Sequence, residues 1–462
     1  MTEGGLSPEP PFEIQTKLSK PPNMILTKPH LIKLFLPLFV FAATLLALKL
    51  IDRSPGSGPV EAGAGGAGSR VADARSSDAR IASLQTAIGN GTSRPGPYAA
   101  LGDAYLQKAR ETFDPSYYTR AETALREALR REAREAGALT AMGVLANARH
   151  DFPVALRFGE RARAAAPNAV KPYGVIVDAL VELGRYGAAE RTLQRMVDLK
   201  PNLDSYARVS YFRELHGDVS GAIEAMRLAA SAGGDARENL AYVQTLLGNL
   251  ELGRGNVAAA RSAYSLALSR YPEYVPAQAG LARAAAARGD LAAAIRRYER
   301  VVERLPLPEY AVALAEAELA AGRRADARED LALVEVQQRL QRRGGVNVDA
   351  EMAVVEADHG SPEQAVRLAR AAWADAPSVR AADALGWALT RAGEPAQGLA
   401  YAQRALRLGS RDAVFLYHAG IAARDAGDTR AARRHLARAL ETNPRFSPLH
   451  APRAERALES LR

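Results

Sequence analysis

From residue 95 onward the chain repeats itself about every 34 residues, and that period limits the fold more than any single motif does. The small residues Ala121, Ala155, Ala189, Ala222, Ala260, Ala294, Ala327, Ala365, Gly398 and Ala432 stand 34, 34, 33, 38, 34, 33, 38, 33 and 34 residues apart. Five positions before this landmark, eight of the ten units carry glycine: Gly184, Gly217, Gly255, Gly289, Gly322, Gly360, Gly393 and Gly427. A residue just past a helix end often turns left-handed, where glycine is favoured, so each unit reads as helix, turn, helix. Twelve positions beyond the landmark six units place a proline, for example Pro201, Pro306 and Pro444, which cannot continue a helix. A helix pair of this length cannot bury its apolar face alone, so neighbouring units must stack into a solenoid.

In period and in these landmarks the chain resembles the tetratricopeptide repeat over roughly residues 95–445. The resemblance implies an all-α fold, a right-handed α-solenoid of about ten helix pairs. Units are expected to start near 95, 136, 170, 203, 241, 275, 308, 346, 379 and 413. Where the family often has tryptophan near the start of a unit, this chain has Tyr98, Tyr173 or Tyr206 at best, so the array is diverged. Several segments, SYFRELHGDVSGAIEAM among them, look like those of long bacterial members of the family. The two 38-residue intervals fall at SAGGDARE and QQRLQRRGGVNVD and are read as dividing the array into blocks of four, three and three units. Residues 80–94 are expected to form an N-terminal cap helix and loop, and residues 446–462 a C-terminal cap helix.

Ahead of the repeats, residues 31–51 read LIKLFLPLFVFAATLLALKLI. Lys33 and Lys49 flank the apolar run and can snorkel to the headgroups. At ~1.5 Å per residue, this stretch reaches about 31 Å, close to a hydrocarbon core of ~30 Å. We read it as one uncleaved transmembrane signal anchor. A cleaved signal is the rival, but about thirty residues precede the run and no A-x-A site follows it directly. Lys20, Lys28 and Lys33 on one side against Lys49 and Arg53 on the other place residues 1–30 in the cytoplasm and the array outside it. Residues 52–79 read as a flexible Gly/Ser/Ala linker. Their Gly63, Gly65 and Gly68 mimic a dinucleotide motif without its strand and helix.

This division leaves no segment for a separate catalytic domain. The chain has no Cys, which removes disulfides, thiolate metal sites and Cys nucleophiles. The net charge of +9 is spread through mixed-sign sequence, so no nucleic-acid partner is expected. His150, His216 and His359 stand at the ends of first helices, where imidazolium suits exposed carbonyls, and the pair Asp358–His359 reads as such a cap. His418 and His435 fall on the two helices of the last unit without a third ligand, so neither metal nor cofactor is expected.

In the resembled family the first helices line a concave groove that takes protein or peptide ligands. Carried over, two clusters face that groove: Arg208, Tyr211, Tyr242 and Asn249, and then Arg380, Asp383, Trp387, Tyr417, His418 and Arg424. Aromatic and Arg side chains are common interface anchors, and Trp387 is the leading candidate. The other tryptophan, Trp373, lies in a second helix and reads as packing. The expectation is a membrane-anchored, non-enzymatic scaffold for a protein or peptide, or alternatively an accessory factor for an envelope polymer or secretion system.

Overall fold

The computed structural model describes residues 77–233 and 237–462, so the expected tail, anchor and most of the linker lie outside the described residues. The described residues form 22 helices and no strand. Helix α1 (Ser77–Gly89) caps the start. Unit 1 pairs α2 (Pro95–Thr112) with α3 (Ser116–Arg131), unit 2 α4 (Ala136–Ala148) with α5 (Phe152–Ala165), and unit 3 α6 (Val170–Glu182) with α7 (Tyr186–Leu199). Unit 4 pairs α8 (Leu203–Leu215) with α9 (Val219–Ala232), unit 5 α10 (Arg237–Gly253) with α11 (Val257–Arg270), and unit 6 α12 (Val275–Ala287) with α13 (Leu291–Arg304). Unit 7 pairs α14 (Pro308–Ala320) with α15 (Arg324–Arg343), and unit 8 α16 (Asp349–His359) with α17 (Pro362–Asp375). Unit 9 pairs α18 (Val379–Arg391) with α19 (Pro395–Ala405), unit 10 α20 (Ala413–Asp425) with α21 (Thr429–Thr442), and α22 (His450–Ser460) closes the array.

The periodic landmarks have simple causes. All nine landmark alanines, from Ala121 to Ala432, have no exposed surface, because each lies where the two helices of its unit press together. Gly398 goes further: a Cβ there would sit 2.8 Å from the Gly386 carbonyl oxygen of the partner helix. In the turns, glycine takes a left-handed φ of +68° to +84° at Gly184, Gly217, Gly255, Gly289, Gly322, Gly393 and Gly427. The next residue is often Asp or Asn, and its side chain caps the second helix. Asp218 accepts from the Gly221 N–H at 2.8 Å and Asp290 from Ala293 at 3.0 Å. In unit 2 His150 holds the left-handed position instead, at φ 58°.

Every second helix packs on the first helix of the following unit, with one exception. The backbone of α15 stays away from α16, and unit 7 meets unit 8 chiefly through an apolar cluster that includes Val334, Val348 and Met352. One of the two expected block boundaries is therefore a real seam. The other is not, because α9 packs on α10 as its counterparts do and the extra residues simply lengthen α10.

The solenoid also closes on itself. The extended connection after α15 leans on the turn of unit 2, where the Asn347 N–H donates to the Arg149 carbonyl at 2.9 Å and His150 Nδ1 lies 2.6 Å from the Asn347 carbonyl oxygen. One unit further along each strand of the coil, the Val379 N–H donates to Tyr186 Oη at 2.9 Å. Two turn glycines are needed twice over at this contact. A Cβ on Gly184 would lie 2.4 Å from the Pro377 carbonyl oxygen, and one on Gly217 would lie 2.3 Å from that of Gly409. Gly289, Gly322, Gly393 and Gly427 face open space, so there only the backbone angle calls for glycine. No helix among the described residues is long and apolar enough to cross a membrane.

Candidate functional site

Closure changes what the first helices face. Of the ten residues expected to line an open groove, Arg208, Tyr211, Tyr242, Asn249, Asp383, Trp387, Tyr417 and His418 are buried, Arg380 is half-buried and Arg424 is exposed. The eight buried ones serve as internal contacts of the folded chain, so as a set these residues are not an open ligand surface. Arg208 grips Asp178 with two hydrogen bonds, 2.7 and 2.8 Å, and donates to the Asp204 carbonyl. Burial disfavours the Arg208 cation, but Asp178 outweighs it and holds the guanidinium above its ordinary range. Asn249 Oδ1 accepts from Tyr264 Oη at 2.8 Å and from Arg283 at 2.7 Å.

The two clusters, far apart in sequence, meet in space. Arg380 Nε donates to Tyr211 Oη at 2.9 Å, and that hydroxyl reaches Glu182 at 3.3 Å. Beside them Glu214 leaves one carboxylate oxygen without a hydrogen-bond partner. Burial pushes Glu214 up to about 8 from an ordinary 4.5, with Arg380 opposing and Asp412 adding to the rise. A carboxyl raised in the folded state supports the fold fully below its unfolded pKa and loses that support as pH rises through its folded one. The thermal midpoint should therefore fall between about pH 5 and pH 9, and Glu214→Gln should flatten part of that slope. An unchanged slope in the variant would remove Glu214 as a cause.

Trp387, 2% exposed, is a buried joint. Its Nε1–H donates to Asp358 Oδ1 at 3.1 Å, and its ring stacks on His418 with centroids 4.2 Å apart. His418 in turn lies 3.0 Å from Asp383. Burial lowers the imidazole's proton affinity, but Asp383 more than offsets this and raises it. Burial by itself would raise Asp358, yet His450, His418 and His359 outweigh it and hold the carboxyl at about 2. The reading of Asp358–His359 as a plain helix cap thus needs correction, since both side chains take part in a wider cluster. Trp373 packs edge-on against Tyr401, centroids 5.4 Å apart. The His418–Asp383 pairing shows that His418 turns to a carboxylate rather than forming a site with His435.

An open recess of about 380 Å³ lies next to Trp387 at the C-terminal end of the array. Arg391 from α18, Arg424 from α20, and Arg453 and Arg456 from α22 line it, with Trp387, Tyr417 and Asp358 among the other wall residues. Arg424 donates to its neighbour Asp425 at 2.8 Å. Arg391 donates to the Ala357 carbonyl and lies over the Trp387 ring, 5.6 Å from its centroid. Among the described residues, no carboxylate pairs with Arg453 or Arg456, which are exposed. In the sequence these two fall within the expected C-terminal cap helix. Their spacing of three, which puts both on one helical face, is the signal that could have marked them.

A family model described as a tetratricopeptide repeat matches residues 251–317. No curated protein is similar enough in sequence to match. Among solved structures, the Cut9–Hcn1 hetero-tetramer of the APC/C is 17% identical with a TM-score of 0.37, covering 85% of this chain and 85% of that one. The human IFIT1 dimer with m7Gppp-AAAA is 14% identical with a TM-score of 0.45, covering 72% of this chain and 77% of that one. A thermophilic repeat protein of Thermus thermophilus is 20% identical with a TM-score of 0.35, covering 40% of this chain and 98% of that one. Residues 251–317 thus match a tetratricopeptide repeat, and the ten stacked helix pairs with their recurring turns carry the same helix–turn–helix pattern through the described residues.

Proposed function

We propose that this chain is a non-catalytic scaffold, held at a membrane by residues 31–51, that docks an acidic segment of a protein partner in the arginine-lined recess. The observation that carries the partner chemistry is the convergence of Arg391, Arg424, Arg453 and Arg456 on one open recess whose wall includes a single carboxylate, Asp358. Guanidinium groups present planar forks that match carboxylates. Tetratricopeptide repeats in general mediate protein–protein interaction, which fits a recess of this kind. Membrane attachment rests on the apolar run with Lys33 and Lys49 at its ends, and the outward placement of the array on the distribution of lysines around it.

One experiment tests both parts. Right-side-out membrane vesicles bearing the full chain are mixed with a fluorescent Glu-rich peptide, beside its Gln-substituted counterpart. The Glu peptide should bind from outside, and the triple charge reversal Arg424→Glu, Arg453→Glu, Arg456→Glu should weaken it at least about tenfold. Equal binding of the Gln peptide would defeat the recess reading, and binding only after permeabilisation would place the array in the cytoplasm.

A further inference from the structure

On the wall of the central cavity, which holds about 330 Å³, four side chains from three helices come together. Glu316 projects from α14, Asp358 and His359 from the last turn of α16, and His450 is the first residue of α22. His450 Nε2 lies 3.5 Å from Asp358 Oδ2 and 4.0 Å from Glu316 Oε1. One ligand-type atom from each of these three residues falls within 4.8 Å of the others. His359 Nε2 stands 3.6 Å from Glu316 Oε1 and has no hydrogen-bond partner, although the side chain is only 9% exposed.

These separations are longer than an ordinary N–H···O bond of ~2.7–3.2 Å. They suit groups that share an ion. Ligands ~2.0–2.2 Å from a tetrahedral centre stand about 3.4 Å from one another. The second oxygen of Asp358 is already taken by the Trp387 Nε1–H, which turns Oδ2 towards His450. Ligating carboxylates are commonly held this way by a hydrogen bond behind them. An imidazole with two carboxylates is a donor set for a divalent first-row cation of the zinc class, not for calcium or magnesium, which prefer all-oxygen cages.

We propose that Glu316, Asp358 and His450 bind one such cation, with His359 standing beside Glu316 outside the ligand set. Its place in the fold gives it a role. The cluster joins unit 7, unit 8 and the C-terminal cap, and so bridges the one seam where α15 and α16 do not pack on each other. A bound ion would clamp that seam and fix the recess that shares Asp358 and Trp387 with it.

The test uses the untagged full chain in detergent, stripped with a chelator and titrated with Zn²⁺ and with Co²⁺ alone. One cation per chain should bind, Co²⁺ should show a visible d–d band with nitrogen ligation, and the thermal midpoint should rise with metal. His450→Gln and Asp358→Asn should abolish the high-affinity site. Trp387→Phe should weaken it about tenfold or more, because Asp358 loses its orienting donor. His435→Gln, outside the cluster, should leave binding intact. If the buried variants fail to fold, Glu316→Gln, at a side chain 20% exposed, carries the test. Absence of the cobalt band, or binding that survives Glu316→Gln, would reduce the cluster to a plain Asp–His pair.

Discussion

Arg208→Ala is expected to cost about 3–5 kcal/mol of stability, the range for removing one partner of a buried ion pair. The substitution leaves Asp178 in the interior without its two charge-assisted hydrogen bonds, and frees the Asp204 carbonyl as well. The loss comes from the stranded charge more than from the pair itself. Replacing both members by apolar residues, Arg208→Met with Asp178→Leu, should therefore recover most of it. Thermal unfolding of the three proteins checks this. A loss below about 1 kcal/mol for the single variant would mean that solvent reaches the pair.

Tyr264→Ala should be of similar size, about 3–5 kcal/mol, as for large aromatic truncations in cores. The ring has no exposed surface and occupies a slot between α10 and α12. A Cβ on Gly248 or Gly280 would come within 2.5 Å of it, so both glycines exist to admit the ring. Tyr264→Phe keeps the ring and loses only the bond to Asn249, which still receives Arg283, so about 1 kcal/mol is expected. Equal losses for the two variants would shift the weight from packing to the hydrogen bond.

The repeat was legible because its causes are local. Alanines that let paired helices approach and glycines that turn left-handed recur at fixed offsets. First helices accordingly begin at Ala136, Val170, Leu203, Val275, Pro308, Val379 and Ala413, at the expected positions. Two starts differ, at Arg237 rather than 241 and at Asp349 rather than 346. Both follow the longer intervals, where the added residues extend the first helix α10 at one site and the preceding second helix α15 at the other.

Burial of the groove residues could not be read in the same way. It depends on a small rotation at each unit, summed over five to six units, until Gly184 meets Pro377 and Gly217 meets Gly409. No single repeat carries that sum. The inward direction of Trp387 was therefore legible, but not that Asp358, His418 and Tyr417 already surround it. The cation cluster was hidden for a related reason. Glu316, Asp358 and His450 are more than forty residues apart, so no ligand spacing appears in the sequence.

Closure of the coil is what encloses the groove residues and leaves the arginine recess open, and it can be measured directly. The chain has no cysteine, so Arg149→Cys with Asn347→Cys reports on that contact alone. The backbones of these residues are joined by a 2.9 Å hydrogen bond, within reach of a short thiol cross-linker. Rapid intramolecular cross-linking under native conditions, lost in denaturant, is the predicted result. Cross-linking no faster in the native protein than in the denatured one would show an open solenoid, and with it an accessible groove.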